Sequence, residues 1–417
     1  MDNVVVIGGG AAGIIAAISA KKDNNNVYII EKNDKLGKKL RITGKGRCNI
    51  TFEGNEKDFF DNILVNNKFL YSSYNMFNNK DVLEFFKKIG VETKLERGNR
   101  YFPISDSATM VVERLIAEIK RLNINVIYSA RVIEILKNES KVTGVVYEKN
   151  NETQRINADK IIIATGGMSY KSTGSTGDGY NLAKSLGHSI IDIKPALVPL
   201  KVYEQDEMSL LNPLSLRNIK VTIKNQQKEL YSNFGEMLFA EFGLTGPIIL
   251  SASSKISRCK NIELLMKEKN IKLYIDLKPA LTDEMLDARI QRDFEKYMNK
   301  EFQNSLNDLL PKKMIPVIIA RSKISSKKKV HQITKEERKN LVNVIKNLEY
   351  TIKDFLSIDL GIVTAGGVNV KEINPKTMMS KKVEGLYFAG EVLDLDAYTG
   401  GFNLQIAFTT GYVAGIS

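Results

Sequence analysis

The sequence is poor in cysteine, histidine and tryptophan. It has two cysteines, two histidines and no tryptophan in 417 residues. Two cysteines cannot form a disulfide framework, so we expect a protein of a reducing compartment, the cytoplasm. No spacing of His, Cys and Asp is typical of metal ligands, and the sequence therefore predicts no metal site. The length predicts two or three domains.

The sequence also lacks a convincing membrane-spanning segment. Residues 4–20 are almost wholly apolar, but three consecutive glycines interrupt this run and two lysines follow it. These glycines and lysines predict a strand, a turn and a helix rather than a transmembrane helix. The residues before the run carry no positive side chain, so we expect no secretory signal.

Positive charge, in contrast, is present in excess and unevenly distributed. The formal net charge is +13, and residues 311–340 contain ten Lys or Arg and only two Glu. One interpretation is an ordinary solvated helix face. The other is a surface that binds a polyanion, because clustered cations attract phosphate backbones. The segment by itself leaves both interpretations open.

The N-terminal residues contain a dinucleotide-binding pattern. A short β-branched strand leads into residues 8–13, GGGAAG, and a second strand ends at Glu31. The spacing matches G-x-G-x-x-G followed by a ribose-binding acid. Gly8 allows the tight turn, Gly10 lets the backbone approach a diphosphate, and Gly13 lets helix and strand pack closely. Glu31 repels a 2′-phosphate, so the site suits FAD or NAD better than NADP.

The C-terminal part favours FAD. Residues 385–391, GLYFAGE, form an apolar strand that ends in a glycine and an acid, and a glycine pair at 400–401 opens an apolar helical stretch. Glutathione-reductase-like flavoproteins return the chain to their first domain with this pattern, and the helix start then faces the flavin pyrimidine ring. Residues 159–167, DKIIIATGG, supply a third strand of the same type.

Several motifs in a fixed order make the likeness more specific. They are TGKGRCN (43–49), STGSTGDG (172–179), GLTGP (243–247), TAGGV (364–368), GEVLD (390–394) and GGFNLQ (400–405). In these stretches the chain resembles the BaiN/YhiN group of FAD-dependent oxidoreductases, also described as aminoacetone-oxidase-like. Lys45 stands where that group usually has glycine or another small residue.

The resemblance implies an α/β fold with three parts. A glutathione-reductase-like FAD-binding Rossmann domain comprises residues 1–191 and 355–417. A β-rich, barrel-like domain (192–277 and 341–354) is inserted into it, and a small basic helical domain (278–340) is inserted into that one in turn.

The nucleotide pattern and the resemblance together indicate the cofactor contacts. Arg47 and Lys45 are candidates to neutralise the diphosphate. The expected cofactor-binding residues are Gly8, Gly10, Ala11, Ala12, Gly13, Glu31, Lys32, Gly44, Arg47, Cys48, Asn49, Val132, Ala164, Thr165, Gly166, Gly390, Glu391, Asp394, Gly401, Asn403 and Leu404.

Two residues are catalytic candidates. A thiol at Cys48 beside Arg47 is expected to have a lowered pKa and to act as acid or nucleophile. The alternative is a small buried hydrophobic residue. Arg100 is expected to bind a substrate phosphate or carbonyl, and its alternative is a surface ion pair.

The resemblance implies reduction of a C=C bond conjugated to a carbonyl, with NAD(P)H as the expected transient donor because no second nucleotide fingerprint is present. The basic segment 311–340 favours uridine in large-subunit ribosomal RNA as substrate, and RNA as partner. The alternatives are a steroid or bile-acid enone reductase, a folate- and FAD-dependent tRNA-modifying enzyme, and a non-enzymatic RNA-binding flavoprotein.

Overall fold

The computed structural model describes residues 2–22 and 24–417. Two compact units divide this part of the chain. The first unit comprises the chain up to Ala196 together with Ile358–Ser417, and the second comprises Leu197–Ser357. The first unit thus contains residues from both ends of the chain.

The elements are numbered in chain order. The strands are β1 (Asp2–Ile7), β2 (Asn25–Ile30), β3 (Thr51–Phe52), β4 (Thr93–Glu96), β5 (Arg100–Pro103), β6 (Asn125–Ile127), β7 (Ala130–Asn138), β8 (Lys141–Lys149), β9 (Glu152–Asn157), β10 (Lys160–Ile163), β11 (Ile190–Ala196), β12 (Leu200–Val202), β13 (Ser215–Asn225), β14 (Lys228–Ala240), β15 (Gly243–Thr245), β16 (Ile271–Asp276), β17 (Leu348–Phe355), β18 (Val363–Val368) and β19 (Leu386–Phe388). The helices are α1 (Ala11–Ala20), α2 (Lys38–Gly46), α3 (Glu56–Asp61), α4 (Tyr71–Met76), α5 (Asn79–Lys88), α6 (Ala108–Arg121), α7 (Asp178–Ser185), α8 (Gln205–Leu211), α9 (Pro247–Ile256), α10 (Ile262–Lys267), α11 (Asp283–Lys296), α12 (Ile315–Ser322), α13 (Lys335–Lys346) and α14 (Phe402–Ile416).

Five parallel strands form the central sheet of the first unit, in the order β19-β10-β1-β2-β6. The apolar run of β1 is buried from Val4 to Ile7, as expected for a strand covered on both faces. Ile163 of β10 lies between Ile7 and Phe388 in register, so the C-terminal strand joins the N-terminal one through β10. This topology confirms the predicted Rossmann-type fold.

Helix α14 packs closely on α1 because glycines line their contact. A Cβ at Gly411 would lie 2.4 Å from the carbonyl oxygen of Ala12, and one at Gly415 would lie 2.4 Å from that of Ala16. The two glycines are four positions apart and therefore lie on one face of α14. Small residues at this spacing let the C-terminal half of α14 pack directly against the first half of α1.

Smaller antiparallel sheets complete the first unit. They have the orders β7-β8-β9, β3-β5-β4 and β11-β18. In the second of these, Thr51 of β3 is opposite Tyr101 of β5, and Phe52 is opposite Arg100. This register places the segment after residue 49 beside Arg100.

The second unit contains a closed six-stranded antiparallel barrel in the order β12-β15-β14-β13-β16-β17. In β16, Ile271, Leu273 and Ile275 alternate with more exposed residues, so one face of the strand lies in the barrel core. Leu286 of α11 and Leu341 of α13 join the same continuous core. The sequence expectation that 278–340 is a separate domain stays a prediction.

None of the described helices is long and apolar enough to cross a membrane.

Candidate active site

The glycine turn of residues 8–13 lies at the carboxyl end of β1. Gly8 has φ +101°, and a Cβ there would lie 2.7 Å from the carbonyl oxygen of Ala164. A Cβ at Gly13 would lie 1.9 Å from the carbonyl oxygen of Gly8. Only glycine fits at these two positions, and their contacts are those of a tight turn and of close helix–strand packing.

Gly10 has a different environment. A Cβ at this position would meet no atom within 4 Å. Gly10 is the N-cap of α1, and neither a capping side chain nor an acidic residue occupies the first turn. The N–H groups of that turn, including those of Ala11 and Ala12, and the positive end of the helix dipole therefore remain available to an anion.

Glu31 lies at the carboxyl end of β2, and it is buried. Its Oε2 accepts a hydrogen bond from the N–H of Gly9 at 2.7 Å, and its Oε1 accepts from the backbone N–H of Asn33 at 2.8 Å. A carboxylate has about four acceptor positions, so it retains capacity for ribose hydroxyls. These contacts fix the carboxylate directly beside the glycine turn.

Two other residues that were predicted to bind the cofactor are Lys32, next to Glu31 in sequence, and Val132 of β7. The Lys32 ammonium forms an ion pair with Asp178 at 2.8 Å, so its charge is already compensated. Val132 is buried in β7, two residues after Ala130, whose N–H donates to the carbonyl of Glu31 at 3.0 Å. Val132 therefore lies near the position expected for the adenosine end.

Residues 43–49 form a loop that overlaps the end of α2 and contains consecutive residues in the left-handed backbone conformation. Gly44, Lys45 and Gly46 have φ values of +58°, +59° and +84°. The N–H of Cys48 donates to the carbonyl of Thr43 at 3.0 Å and closes the loop. Lys45 holds a conformation that a lysine rarely adopts, which explains why glycine suits this position.

This loop packs against the start of α14. With its amide oriented to satisfy its neighbours, Asn49 accepts a hydrogen bond from the N–H of Gly401 at 2.9 Å and donates to the carbonyl of Thr51 at 3.1 Å. Gly401 is the N-cap of α14, has φ +102°, and receives no side-chain cap. The loop therefore leaves the first turn of α14, which includes Leu404, available at its N-terminal end.

Asn403 secures the segment that leads into α14. Its Oδ1 accepts from the N–H of Ala397 at 3.0 Å, and its Nδ2 donates to the carbonyl of the same residue at 2.9 Å. Its side chain thus acts on the protein's own backbone. A cofactor contact of Asn403 would use its backbone rather than its amide side chain.

The predicted lowering of the pKa of Cys48 is wrong. The Cys48 side chain is fully buried, and this burial raises the pKa of its thiol to about 12, although a hydrogen bond with Thr43 opposes the shift. The guanidinium of Arg47, its neighbour in sequence, lies over the ring of Phe102 at 4.2 Å. The thiol is therefore a protonated, buried group at neutral pH.

Arg47 belongs to an ion-pair network. It pairs with Glu96 and Asp106, and its Nε donates to Asp106 at 2.8 Å. Hydrogen bonds from Arg47 lower the pKa of the Glu96 carboxyl, and those of Lys94 and Arg47 lower the pKa of Asp106. These carboxylates compensate the charge of Arg47. The sequence had indicated the same charge as a candidate to neutralise the diphosphate.

Arg100 lies on β5 without a carboxylate partner among the described residues. Its Nε and Nη2 donate to the carbonyl of Arg97 at 3.2 and 3.0 Å. The register of β3 and β5 places it opposite Phe52, whose ring packs on Phe402 of α14 at 4.7 Å. The remaining N–H groups of Arg100 are thus available near the start of α14.

The segment after β19 lies beside the glycine turn. Gly390 has φ +78°, a Cβ there would lie 2.7 Å from the Cβ of Ala12, and its N–H donates to Thr410 Oγ1 at 2.9 Å. Asp394 accepts hydrogen bonds at its Oδ2 and its carbonyl from Asn66 Nδ2, both at 2.9 Å. Asp394 thus anchors the segment that contains Asn66.

The end of β10 also lies beside the turn, on the side opposite to β2. The Ala164 N–H donates to the carbonyl of Ile7 at 2.9 Å, and a Cβ at Gly8 would lie 3.0 Å from the Cα of Thr165. Thr165 Oγ1 is buried with no hydrogen-bond partner among the residues described. Gly166 follows with φ +74°.

Sequence reasoning missed the residues that hold Glu391. Lys39 forms an ion pair with Glu391 at 3.1 Å, and the backbone N–H of Thr364 donates to its carboxylate at 2.9 Å. Ser169 contacts both Lys39, at 3.0 Å, and Glu391. The Thr364 motif was among the resembling stretches, but no local signal distinguished Lys39 from the other lysines of α2.

The residues present fit FAD. Helices α1 and α14 both begin at a glycine N-cap without a side-chain cap or an acid in the first turn, and the buried Glu31 lies next to the start of α1. The open space at Gly10 is the cradle that a diphosphate requires. No group of three or more His, Cys, Asp or Glu in the described ranges is arranged to hold a metal ion.

Comparison with known proteins agrees with this arrangement. The family described as "HI0933-like protein Rossmann domain" matches residues 2–417. A 3-dehydro-bile acid delta(4,6)-reductase of Clostridium scindens is 34% identical over 401 residues, 93% of this chain and 91% of the relative. A ribosomal RNA dihydrouridine synthase of Haemophilus influenzae is 29% identical over 394 residues, 94% of this chain and 92% of the relative.

Structural comparison supports the fold alone. A 3-ketosteroid-delta4-(5alpha)-dehydrogenase of Rhodococcus jostii RHA1 aligns with a TM-score of 0.51 at 14% identity, over 100% of this chain and 96% of that one. The family match spans the described glycine turn, Glu31 and the start of α14. The chain belongs to the HI0933-like family of FAD-dependent oxidoreductases.

Proposed function

We propose that the protein reduces a carbon–carbon double bond conjugated to a carbonyl, and that its substrate is a uridine of large-subunit ribosomal RNA. Two relatives support the reaction class, because one is named a bile acid reductase and the other a ribosomal RNA dihydrouridine synthase. Bound FAD, once reduced by a donor that we propose to be NAD(P)H, would supply a hydride for the β-carbon, which is C6 in uracil, and a proton from an acid or from water would complete the reduction at the α-carbon, C5.

The chain's own groups have to stabilise the oxygen that becomes enolate-like as the hydride arrives. The uncapped N–H groups at the start of α14 are one source of donors. Arg100 is the other, since its guanidinium contacts a backbone carbonyl and no carboxylate among the described residues. We assign to Cys48 a packing role within the loop, in view of its raised pKa.

The charge of residues 311–340 supports an RNA substrate, although the structure reduces its magnitude. Three of its ten cations are neutralised: Lys328 pairs with Glu337 at 2.7 Å, and Arg321 with Glu207 at 2.7 Å. Arg338 pairs with Asp287 at 2.5 Å. A simple count of charges therefore overstates the available positive surface.

The uncompensated lysines carry the proposal. Lys312, Lys323, Lys327, Lys335 and Lys339 are exposed and form no ion pair within the described part of the chain. Two of them, Lys312 and Lys323, line a groove of about 780 Å³ that also contains amide and hydroxyl side chains and no acidic residue. Five apolar side chains also line this groove, so its two lysines, rather than the lining as a whole, favour a phosphate ligand.

A small-molecule enone is the second candidate. The bile acid reductase has the higher identity of the two relatives described, 34% against 29%. This candidate predicts rapid turnover of free enones and no salt-dependent affinity for RNA. A folate- and FAD-dependent tRNA-modifying enzyme is a further alternative, and it would require folate.

The test is a map of dihydrouridine in large-subunit ribosomal RNA from strains with and without the gene. We expect one position that is dihydrouridine in the wild-type strain to remain uridine in the deletion strain. In parallel, anaerobic stopped-flow mixing of the reduced protein with that RNA or with a steroid enone measures flavin reoxidation. An unchanged RNA map together with fast reoxidation by the enone would reject the RNA substrate.

A further inference from the structure

A second cationic groove, of about 390 Å³, lies on the first unit and is formed by residues 66–69 together with Val370, Lys371, Ile373, Pro375 and Lys381. Three lysines line it, Lys68, Lys371 and Lys381, and its lining contains no acidic residue. This groove is separate in sequence from the basic segment of the second unit. Its function is not explained by the cofactor contacts described above.

Hydrogen bonds fix one wall of this groove to the flavin site. Asn66 donates to both the carbonyl and the carboxylate of Asp394, at 2.9 Å each. The N–H of Leu64 donates to the carbonyl of Asp396 at 3.0 Å, and the N–H of Tyr398 donates to the carbonyl of Asn62 at 3.0 Å. The segment from 394 to 398 leads directly into the start of α14, so the groove borders the reaction site.

The lysines of the groove are not neutralised. Lys68 and Lys371 form no ion pair with any described residue, and Lys381 donates to the carbonyl of Lys371 at 2.9 Å rather than to a carboxylate. The neighbouring acid, Glu372, is held by Lys382 at 2.7 Å and by Ser189. The groove therefore has an excess of positive charge that attracts an anionic ligand.

An aromatic ring accompanies this charge. Phe69 is half-buried in the wall of the groove, where it packs against the apolar core of the first unit and contacts no other aromatic ring among the described side chains. Several lysines beside a partly exposed aromatic ring are features by which proteins hold single-stranded nucleic acid, with phosphates on the cations and a base on the ring.

We propose that this groove binds ribonucleotides that flank the reacting uridine, with a base stacked on Phe69 and phosphates on Lys68, Lys371 and Lys381. The inference rests on the proposed function, because an RNA substrate is what provides flanking nucleotides. A single steroid would leave most of these cations without a partner. The groove would thus determine which substrates reach the flavin.

The test compares two triple variants of the FAD-bound protein that change net charge equally. K68Q/K371Q/K381Q removes the groove lysines, and K87Q/K120Q/K137Q removes exposed lysines without ion pairs elsewhere on the first unit. The probe is a fluorescein-labelled single-stranded RNA of about 12 nucleotides. Fluorescence anisotropy at several KCl concentrations gives the dissociation constant and its salt dependence.

We expect the groove variant to reduce the slope of log K against log salt by about 2, whereas the control variant retains the wild-type slope. Phe69→Leu keeps an apolar side chain and should weaken binding about tenfold with an unchanged slope. Equal slopes for the two triple variants, or wild-type affinity of Phe69→Leu, would overturn the proposal.

These outcomes are separable from those of the proposed function, because RNA binding is measured without turnover. If deletion of the gene leaves ribosomal dihydrouridine intact while the groove variant loses affinity, the proposed substrate fails and the groove stands. If the ribosomal RNA loses its dihydrouridine while the groove variant binds the probe like wild type, the groove fails alone.

Discussion

Replacement of Gly10 by alanine separates the shape of the glycine turn from its capacity to bind an anion. Gly10 has φ −83° and ψ −169°, which any residue adopts, and the new methyl group would meet no protein atom within 4 Å. The poorer N-cap preference of alanine and its lower unfolded-state entropy oppose one another. We therefore expect the FAD-free variant to differ from wild type by less than about 1 kcal/mol in unfolding free energy.

Binding of FAD should respond very differently. The methyl group projects into the space that a diphosphate needs, and the backbone N–H groups are held back from the phosphate oxygens. We expect an affinity loss on the order of 100-fold, about 2.7 kcal/mol. Isothermal titration of FAD into flavin-free protein measures this loss, and thermal unfolding of the same sample measures the fold. Wild-type affinity would refute a diphosphate at this turn.

Gly13→Ala is the matched control for this experiment. Its methyl group would lie 1.9 Å from the carbonyl oxygen of Gly8, so α1 has to move away from the turn. We expect the flavin-free protein itself to lose about 1–3 kcal/mol, as in an overpacked core, together with FAD binding. The same stability for both variants would contradict the assignment of separate tasks to Gly10 and Gly13.

Three further substitutions test individual residues. Cys48→Ala should keep flavin reoxidation within about threefold of wild type in stopped-flow assays, because a thiol of pKa about 12 stays protonated; a loss on the order of 100-fold at full FAD occupancy would contradict this. Lys45→Gly should raise the melting temperature by about 2–4 °C in thermal unfolding, since lysine is strained at φ +59°, and a lower value would argue against strain. Burial raises the pKa of Glu372, but hydrogen bonds with Lys382 and Ser189 bring it to about 2, whereas burial lowers the pKa of His188. The free energy of unfolding should therefore fall as pH decreases below about 6.5. In urea unfolding, Glu372→Gln should make this free energy less dependent on pH below about 4.5, and the same pH dependence in the variant and in wild type would be the contrary result.

Local sequence was sufficient to predict the parts of the fold that depend on backbone geometry. The β-branched run before Gly8 predicts a buried strand, and the glycine spacing predicts a helix that begins at Ala11. The strand before Gly390 and the helix after Gly401 are likewise present in the structure. In each case short-range sterics determine the conformation, so the residue types themselves contain the information.

Side-chain partners were not predictable because they lie far apart in the chain. Arg47 pairs with Asp106, 59 positions away, and Lys39 contacts Glu391, 352 positions away. The error for Cys48 has the same origin: Arg47 adjoins it in sequence, yet the guanidinium lies over Phe102 and the thiol is buried. Sequence neighbours need not share an electrostatic environment, and a pKa depends on that environment.

The distribution of compensated charge gives the strongest argument about the substrate. At the flavin site, Lys32, Lys39 and Arg47 each have a carboxylate partner. In the two grooves, Lys312, Lys323, Lys68, Lys371 and Lys381 line surfaces without an acidic residue. A reductase for a free enone needs no such cations beyond its cofactor site. Each unit thus has its own groove lined by lysines without an acidic residue, which is the reason that we propose ribosomal RNA, a polyanion, as the substrate.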